Sequence, residues 1–270
     1  MDANRHFAGI GRRVGGHDGQ SLHHFMTNSP WDGSKVYEKI QAEICERPQL
    51  AQGGMLVLDE SADEKAGTDN AGADRQYNGR LGKVDVCQVG VVLSYVNWKT
   101  GPWPLWTWID GELFIPEDWF TPACAYKRKK LEIPEDRQFA TKIELGLAMI
   151  QRAQERELPF EGVACDELYG RSGDFRVQLD EKGILYAADI PSNLHVYLQK
   201  PEIGVPKKRP GKKGPPPKRL RVLNGVLAET PYRLARSKTT QWHLLRVRSN
   251  ERGFLEAHFA AWRVWTWSED

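Results

Sequence analysis

A chain of 270 residues allows one large domain or two ordinary ones and is long enough to bury a sizeable core. About 46% of its residues are apolar once Gly is counted and Tyr set aside, an ordinary globular value that excludes wholesale disorder, collagen and coiled coil. The net charge of +2 hides a concentration: residues 205–221 hold eight Lys or Arg and no acid, leaving 30 bases against 36 acids elsewhere.

Residues 1–20 are polar and Gly-rich without periodicity, so a mobile start and no secretory signal are expected. His17, His23 and His24 lack a matching acid partner and read as solvent-exposed. From Ser34 to Arg47, Val36, Ile40 and Ile44 recur at helical spacing. Gly53 and Gly54 break that pattern before Met55-Leu56-Val57-Leu58-Asp59, a short apolar run that reads as a buried strand ending in a carboxylate. Glu60 to Gly82 is polar and Gly-rich, hence loop or irregular. Val84 to Tyr95 is a second strand; the longest apolar run, Val89 to Val96, is too short to cross a bilayer. Leu105 to Phe114 is a third, and Trp103, Trp106 and Trp108 read as core or sheet packing. Pro116, Pro122 and Pro134 mark an irregular stretch to Asp136. Thr141-Lys142-Ile143-Glu144 then fits a capping box that opens a helix to Arg156. Phe160 to Asp166 is a fourth strand, again closed by a carboxylate. A helix over Asp174–Lys182 is capped by Gly183 and followed by a fifth strand, Ile184 to Asp189. This alternation indicates the α/β class, with helices flanking a mixed sheet. Residues 240–267 alternate (Trp242, Leu244, Arg246, Arg248; later Trp262, Val264, Trp265, Trp267) and read as antiparallel strands. Cys45, Cys87, Cys124 and Cys165 form no C-x-x-C pair, which excludes a zinc ribbon or disulfide scaffold and suggests buried, reduced thiols in a cytoplasmic protein.

A phosphate-binding G-x-x-x-x-G-K-[ST] loop and a G-x-S-x-G elbow are both absent. What remains is the pair Asp59 and Asp166, each at the end of an apolar strand, where ligands of open α/β sheets sit. Two carboxylates held together repel, and a divalent cation relieves that repulsion; oxygen-only ligation favours Mg2+ or Mn2+. An Asp after a strand also serves as a helix cap or turn residue, and that reading stays open. The basic segment, with Lys207, Lys208, Arg209, Lys212, Lys213, Lys218, Arg219 and Arg221 among its prolines, cannot pack. It is either a solvated linker or an arm that tracks DNA phosphates.

Several blocks are similar to one family. They are Leu56–Ser61, Ala73–Val84, Cys87–Val91, Glu112–Trp119, Phe139–Lys142, Pro159-Phe160 and Cys165–Gly170, with His24-Phe25 and Ser29–Asp32 upstream. Their order and spacing over residues 20–200 resemble DDE-superfamily insertion-sequence transposases. The resemblance implies an RNase H-like mixed sheet flanked by helices, with a partial β-rich insertion at the C-terminal end. It implies Mg2+- or Mn2+-dependent cleavage and strand transfer on double-stranded DNA at element ends, in a cytoplasmic, nucleoid-associated bacterial protein and possible homodimer, without membrane. Asp59 and Asp166 carry over as the first two catalytic acids and metal ligands, and Arg75, Gln76 and Tyr77 match a polar block beside the first strand.

The family places its third acid, a Glu, on a helix beyond the insertion, and no such helix follows here. Glu251 and Glu256 are the late candidates. The resulting expectation is a truncated transposase copy with impaired activity, divided into an N-terminal helical segment (1–50), an incomplete core (51–200) and the basic arm with the insertion (201–270). The alternatives are a catalytically inactive DNA-binding fragment and a hydrolase using the two carboxylates on a sugar or phosphate ester. A core without its last helix also leaves one sheet face uncovered.

Overall fold

A computed structural model describes residues 9–11, 19–29, 32–101, 104–207, 215, 217–250 and 253–267. Residues 9–11 are helical, and α1 (Gly19–Asn28) and α2 (Gly33–Cys45) follow. Asp32 caps α2, its side chain accepting from the Ser34 amide at 2.9 Å. The helical spacing read for this segment holds for Ile40 and Ile44. Val36, however, is 46% exposed, and Gln41 takes a buried place because its Nε2 donates to the Ile109 carbonyl at 2.7 Å. Most of residues 1–18 lie outside the described set, so the expected mobile start is not described. His23 and His24 lie exposed on α1.

The central sheet is built from β1 (Gly54–Glu64), β2 (Asp74–Asn78), β3 (Lys83–Asn97), β4 (Leu105–Phe114), β5 (Gly162–Cys165) and β6 (Tyr186–Ala188). β3 is long enough to take two neighbours on one edge, β2 along its first residues and β4 along the rest. Its other edge pairs antiparallel with β1, which pairs parallel with β5, and β5 with β6. Read across the middle, the order is β4-β3-β1-β5-β6, an antiparallel meander joined to two parallel strands. This is the RNase H-like arrangement, with helices against a mixed sheet.

Alternation along the strands decides what the helices cover. Leu56, Leu58, Val91, Leu93 and Tyr95 point to one face and are almost fully buried. Against them pack Leu145, Leu147, Met149, Ile150 and Ala153 of α4 (Lys142–Glu155), and Phe175 and Leu179 of α6 (Gly173–Glu181). The short α5 (Glu167–Gly170) joins β5 to α6 and contributes buried Tyr169. The capping box at Thr141 is formed: Thr141 Oγ1 accepts from the Glu144 amide at 3.2 Å, and Glu144 accepts from the Thr141 amide at 2.7 Å. Thr141→Ala is expected to cost about 1 kcal/mol, read as a lower urea midpoint with an unchanged slope. Gly183 closes α6 at φ +67°, a conformation an L side chain resists.

The structure corrects several expectations. Residues 60–82 are not all loop, because β1 runs on to Glu64 and the polar stretch 74–78 pairs with β3. The stretch 116–136 is not wholly irregular. It contains 3-10 turns and α3 (Ala125–Lys130), held by a small separate core of Ile115, Trp119 and Ile133. Trp106 and Trp108 are 59% and 46% exposed, on the sheet face opposite α4, with ring centroids 6.5 Å apart; Trp103 lies outside the described residues. Cys45, at the end of α2, is exposed and Cys124 half-buried, so that of the four expected buried thiols only Cys87 and Cys165 are; all four are free.

Beyond the sheet lie two small pairs. β7 (Ile203–Gly204) pairs with β8 (Arg221–Val222), and β9 (His243–Asn250) with β10 (Gly253–Phe259), the short α7 (Pro231–Arg236) between them. The expected strand over Trp262–Trp267 is not formed beyond a single bridge from Trp265 to Tyr197. Among the described residues no helix is long and apolar enough to cross a membrane.

Candidate functional site

The last registered pair of β1 and β5 is Leu58 opposite Cys165. Asp59, the next residue of β1, and Asp166, which follows β5 and caps the next helix, stand one step beyond that pair, so the sheet brings them to adjacent positions. Both are exposed. Leu58 and Glu60 turn toward α4, so Asp59 turns to the other face. Asp59 Oδ1 accepts from the Glu60 amide at 2.7 Å. Asp166 is also a helix cap, its Oδ1 accepting from the Leu168 amide at 3.0 Å as α5 begins. The cap and the site are therefore compatible: one oxygen fixes the rotamer, and the other is left over in each residue.

Glu60 sits directly behind this pair. Lys142 Nζ lies 3.1 Å from its carboxylate, and both side chains are about four-fifths shielded. Burial is the main influence on Glu60 and raises its carboxyl above the ordinary range; Lys142 pulls it down, and Asp166 and Asp59 push it up. Burial likewise raises the Tyr169 hydroxyl, with Glu60, Asp166 and Asp59 adding to it. Four acidic groups thus share one field. Lys142 neutralises one of them, and among the described residues no cationic side chain bonds Asp59 or Asp166. An exposed all-oxygen pair without its own counter-charge fits a hard divalent cation. Glu60 Oε1 and the Tyr169 hydroxyl oxygen are buried without a partner, so the wall behind the pair keeps unused polar capacity.

A third acid is not brought in. Among the described residues no three His, Cys, Asp or Glu side chains gather as a metal set. Glu256 lies on β10 and faces Arg246 at 3.5 Å, an ordinary cross-strand pair, and Glu251 is outside the described residues. Of the polar block beside β1, Arg75 and Tyr77 are exposed, and the register Arg75–Val86 puts them on the same sheet face as Asp59. Gln76 is turned under, its Nε2 donating to the Gly72 and Cys87 carbonyls at 3.0 Å, and is part of the packing.

In the basic segment, Lys207, Lys218, Arg219 and Arg221 are exposed, whereas Lys208, Arg209, Lys212 and Lys213 lie outside the described residues. The segment does not wholly avoid order. Arg221 belongs to β8 and pairs with Gly204, so residues 205–220 connect two strands that are hydrogen-bonded at their base. Sequence reading misses Glu60 with Lys142, 82 positions apart. It also passes over Lys127-Arg128-Lys129-Lys130, whose run of four cations was visible but overshadowed by the longer basic stretch.

Compared with known proteins, a family described as DDE superfamily endonuclease matches residues 5–253. A probable transposase for insertion sequence element IS701 from Microchaete diplosiphon is 32% identical over 190 residues, which is 70% of this chain and 45% of that protein. The chain thus spans about half the length of that relative. No solved structure matches.

Proposed function

The chain belongs to the DDE superfamily of endonucleases, and on that premise we propose that it acts as an insertion-sequence transposase on double-stranded DNA, with Asp59 and Asp166 holding a Mg2+ or Mn2+ ion. The observation that supports this most is the parallel register of β1 and β5, whose last pair, Leu58 with Cys165, immediately precedes the two exposed carboxylates. When bound, the cation supplies Lewis-acid polarisation of a phosphodiester oxygen and lowers the pKa of a coordinated water.

The protein's own groups hold and orient. The Glu60 and Leu168 amides fix the two ligand carboxylates. Lys142 offsets part of the burial that disfavours the Glu60 charge behind them. Arg75 and Tyr77 offer a cation and a hydroxyl on the face where Asp59 opens, suited to fixing a phosphate backbone. The basic stretch 205–221 adds sequence-independent attraction.

The test is nicking of supercoiled plasmid with Mg2+ or Mn2+. Asp59→Asn and Asp166→Asn keep the shape and a capping oxygen but remove the charge, and each is expected to abolish metal-dependent nicking. Equal nicking by wild type and both variants overturns the assignment. A second reading, duplex occupancy without cleavage, is favoured by the lack of a third acid among the described residues. Retained duplex binding with no nicking in wild type selects it.

A further inference from the structure

The helix α3 carries four consecutive cations, an arrangement that costs repulsion unless something uses or offsets it. Two of the four are turned inward. Arg128 donates to the Trp119 carbonyl and, at 3.1 Å, to that of Thr121, and Lys127 lies 3.9 Å above the Trp119 ring. These contacts fasten the helix onto the small core of Ile115, Trp119 and Ile133. The C-terminal end of the helix dipole also favours positive charge here.

The other two are turned outward. Among the described residues Lys129 meets no acid within ion-pair distance, and Lys130 meets only Asp69 at 3.9 Å, where both side chains are more than half exposed. Such a pair is worth little in water. Tyr126, beside them, is 79% exposed. The structure therefore builds a rigid base for a small cationic surface and leaves its charge unneutralised.

Its place in the fold gives that charge a purpose. Phe114, the end of β4, lies at the register of Val89 and hence of Ala62, three residues beyond Asp59 on β1. That is about 10 Å along the strand. The small core follows immediately in sequence, and Lys142, the partner of Glu60, is also 5.4 Å from the Phe114 ring. The cationic helix thus stands at the same end of the sheet as the carboxylate pair. A DNA backbone approaching Asp59 and Asp166 meets like charge, and flanking cations are what offset it.

We propose that Lys129 and Lys130, on the platform fastened by Lys127 and Arg128, are a contact surface for the phosphate backbone of duplex DNA beside the carboxylate pair. This rests on the proposed function and extends it to a surface outside the basic 205–221 stretch. Lysines are point charges on flexible stems, so the surface positions the duplex without reading its sequence. A single-stranded ligand would call for a row of stacking rings, and α3 presents one exposed ring, that of Tyr126.

The test is fluorescence anisotropy of the full chain with duplexes of unrelated sequence, in EDTA, over about 50–200 mM KCl. The double variant Lys129→Gln/Lys130→Gln is expected to make the log–log salt slope shallower by about 2 units, from −0.9 per contact, with similar loss of affinity on every sequence. Lys129→Arg/Lys130→Arg is expected to keep the wild-type slope, and Lys35→Gln/Lys39→Gln on α2 to leave it unchanged. A wild type that binds duplex while the Gln variant keeps its slope overturns this inference alone. So does an equal change in the α2 control, or an effect confined to single strands. A wild type that binds no duplex at the lowest salt overturns both this inference and the proposed function.

Discussion

Truncating Trp119 to alanine is expected to destabilise the protein by about 3–5 kcal/mol, the largest single effect of any side chain outside the main core. The indole is 1% exposed and is the centre of the second core, between Ile115 and Ile133. Its Nε1 donates to Asp74 at 3.3 Å, tying this core to β2, and its ring and carbonyl receive Lys127 and Arg128. The variant thus loses buried area, leaves a cavity and removes the ring under Lys127, while the backbone carbonyl that receives Arg128 remains. Because this core is separate from the one between α4 and the sheet, the loss should be local first. Hydrogen exchange should rise over residues 115–133 well before the β1–β3 amides lose protection. Uniform acceleration across the whole sheet would contradict the separation of the two cores.

Replacing Lys142 by methionine keeps the length of the stem and removes the counter-charge of Glu60. The pair is mostly shielded, so the cost at neutral pH is set at about 1–3 kcal/mol, below that of a fully buried pair. The cost depends on pH in a definite direction. Burial already holds the Glu60 carboxyl above its ordinary value, and removing the influence of Lys142 raises it further. An acid with a raised folded-state pKa contributes stability that is fully present below its unfolded pKa and is lost as pH rises through the folded value. The difference between wild type and Lys142→Met should therefore be small near pH 4 and grow toward pH 7. Urea unfolding in EDTA at several pH values measures it, and a pH-independent difference would show that Lys142 acts only through packing against Phe114.

Both predictions concern residues whose roles lie beyond sequence spacing. Leu58-Asp59 and Cys165-Asp166 were legible because an apolar run stopped by a carboxylate is a local signal, and the capping box at Thr141 is equally local. The facing of Glu60 and Lys142 is not local; it exists only once α4 lies on β1. β2 escaped notice because Asp74–Asn78 is polar at nearly every position and pairs only with the exposed start of β3, where no burial is needed to make a strand. α3 was hidden by the prolines around it, which do break the chain but leave room for a helix of six residues between Pro122 and Pro134. The tryptophans of β4 misled because alternation shows that a row shares one face, not which face is covered. Trp106 and Trp108 share the face with Met55 and Val57, opposite the one that α4 buries.

The parallel match between β1 and β5 has a cost in tolerance. Side chains alternate at every step, so sliding β5 by a single position would swing Asp166 behind the sheet while Asp59 stayed in front. The stops against such a slide lie at the other end of the strands. The Glu161 amide donates to the Gly54 carbonyl at 2.7 Å. A methyl group at Gly54 would press on the Pro159 carbonyl and the Tyr95 ring, and one at Gly162 would come 2.9 Å from the Leu185 carbonyl. The alignment of the two aspartates is thus guarded by bare backbone four or five residues upstream, and a heritable change at either glycine can misplace carboxylates that it never approaches.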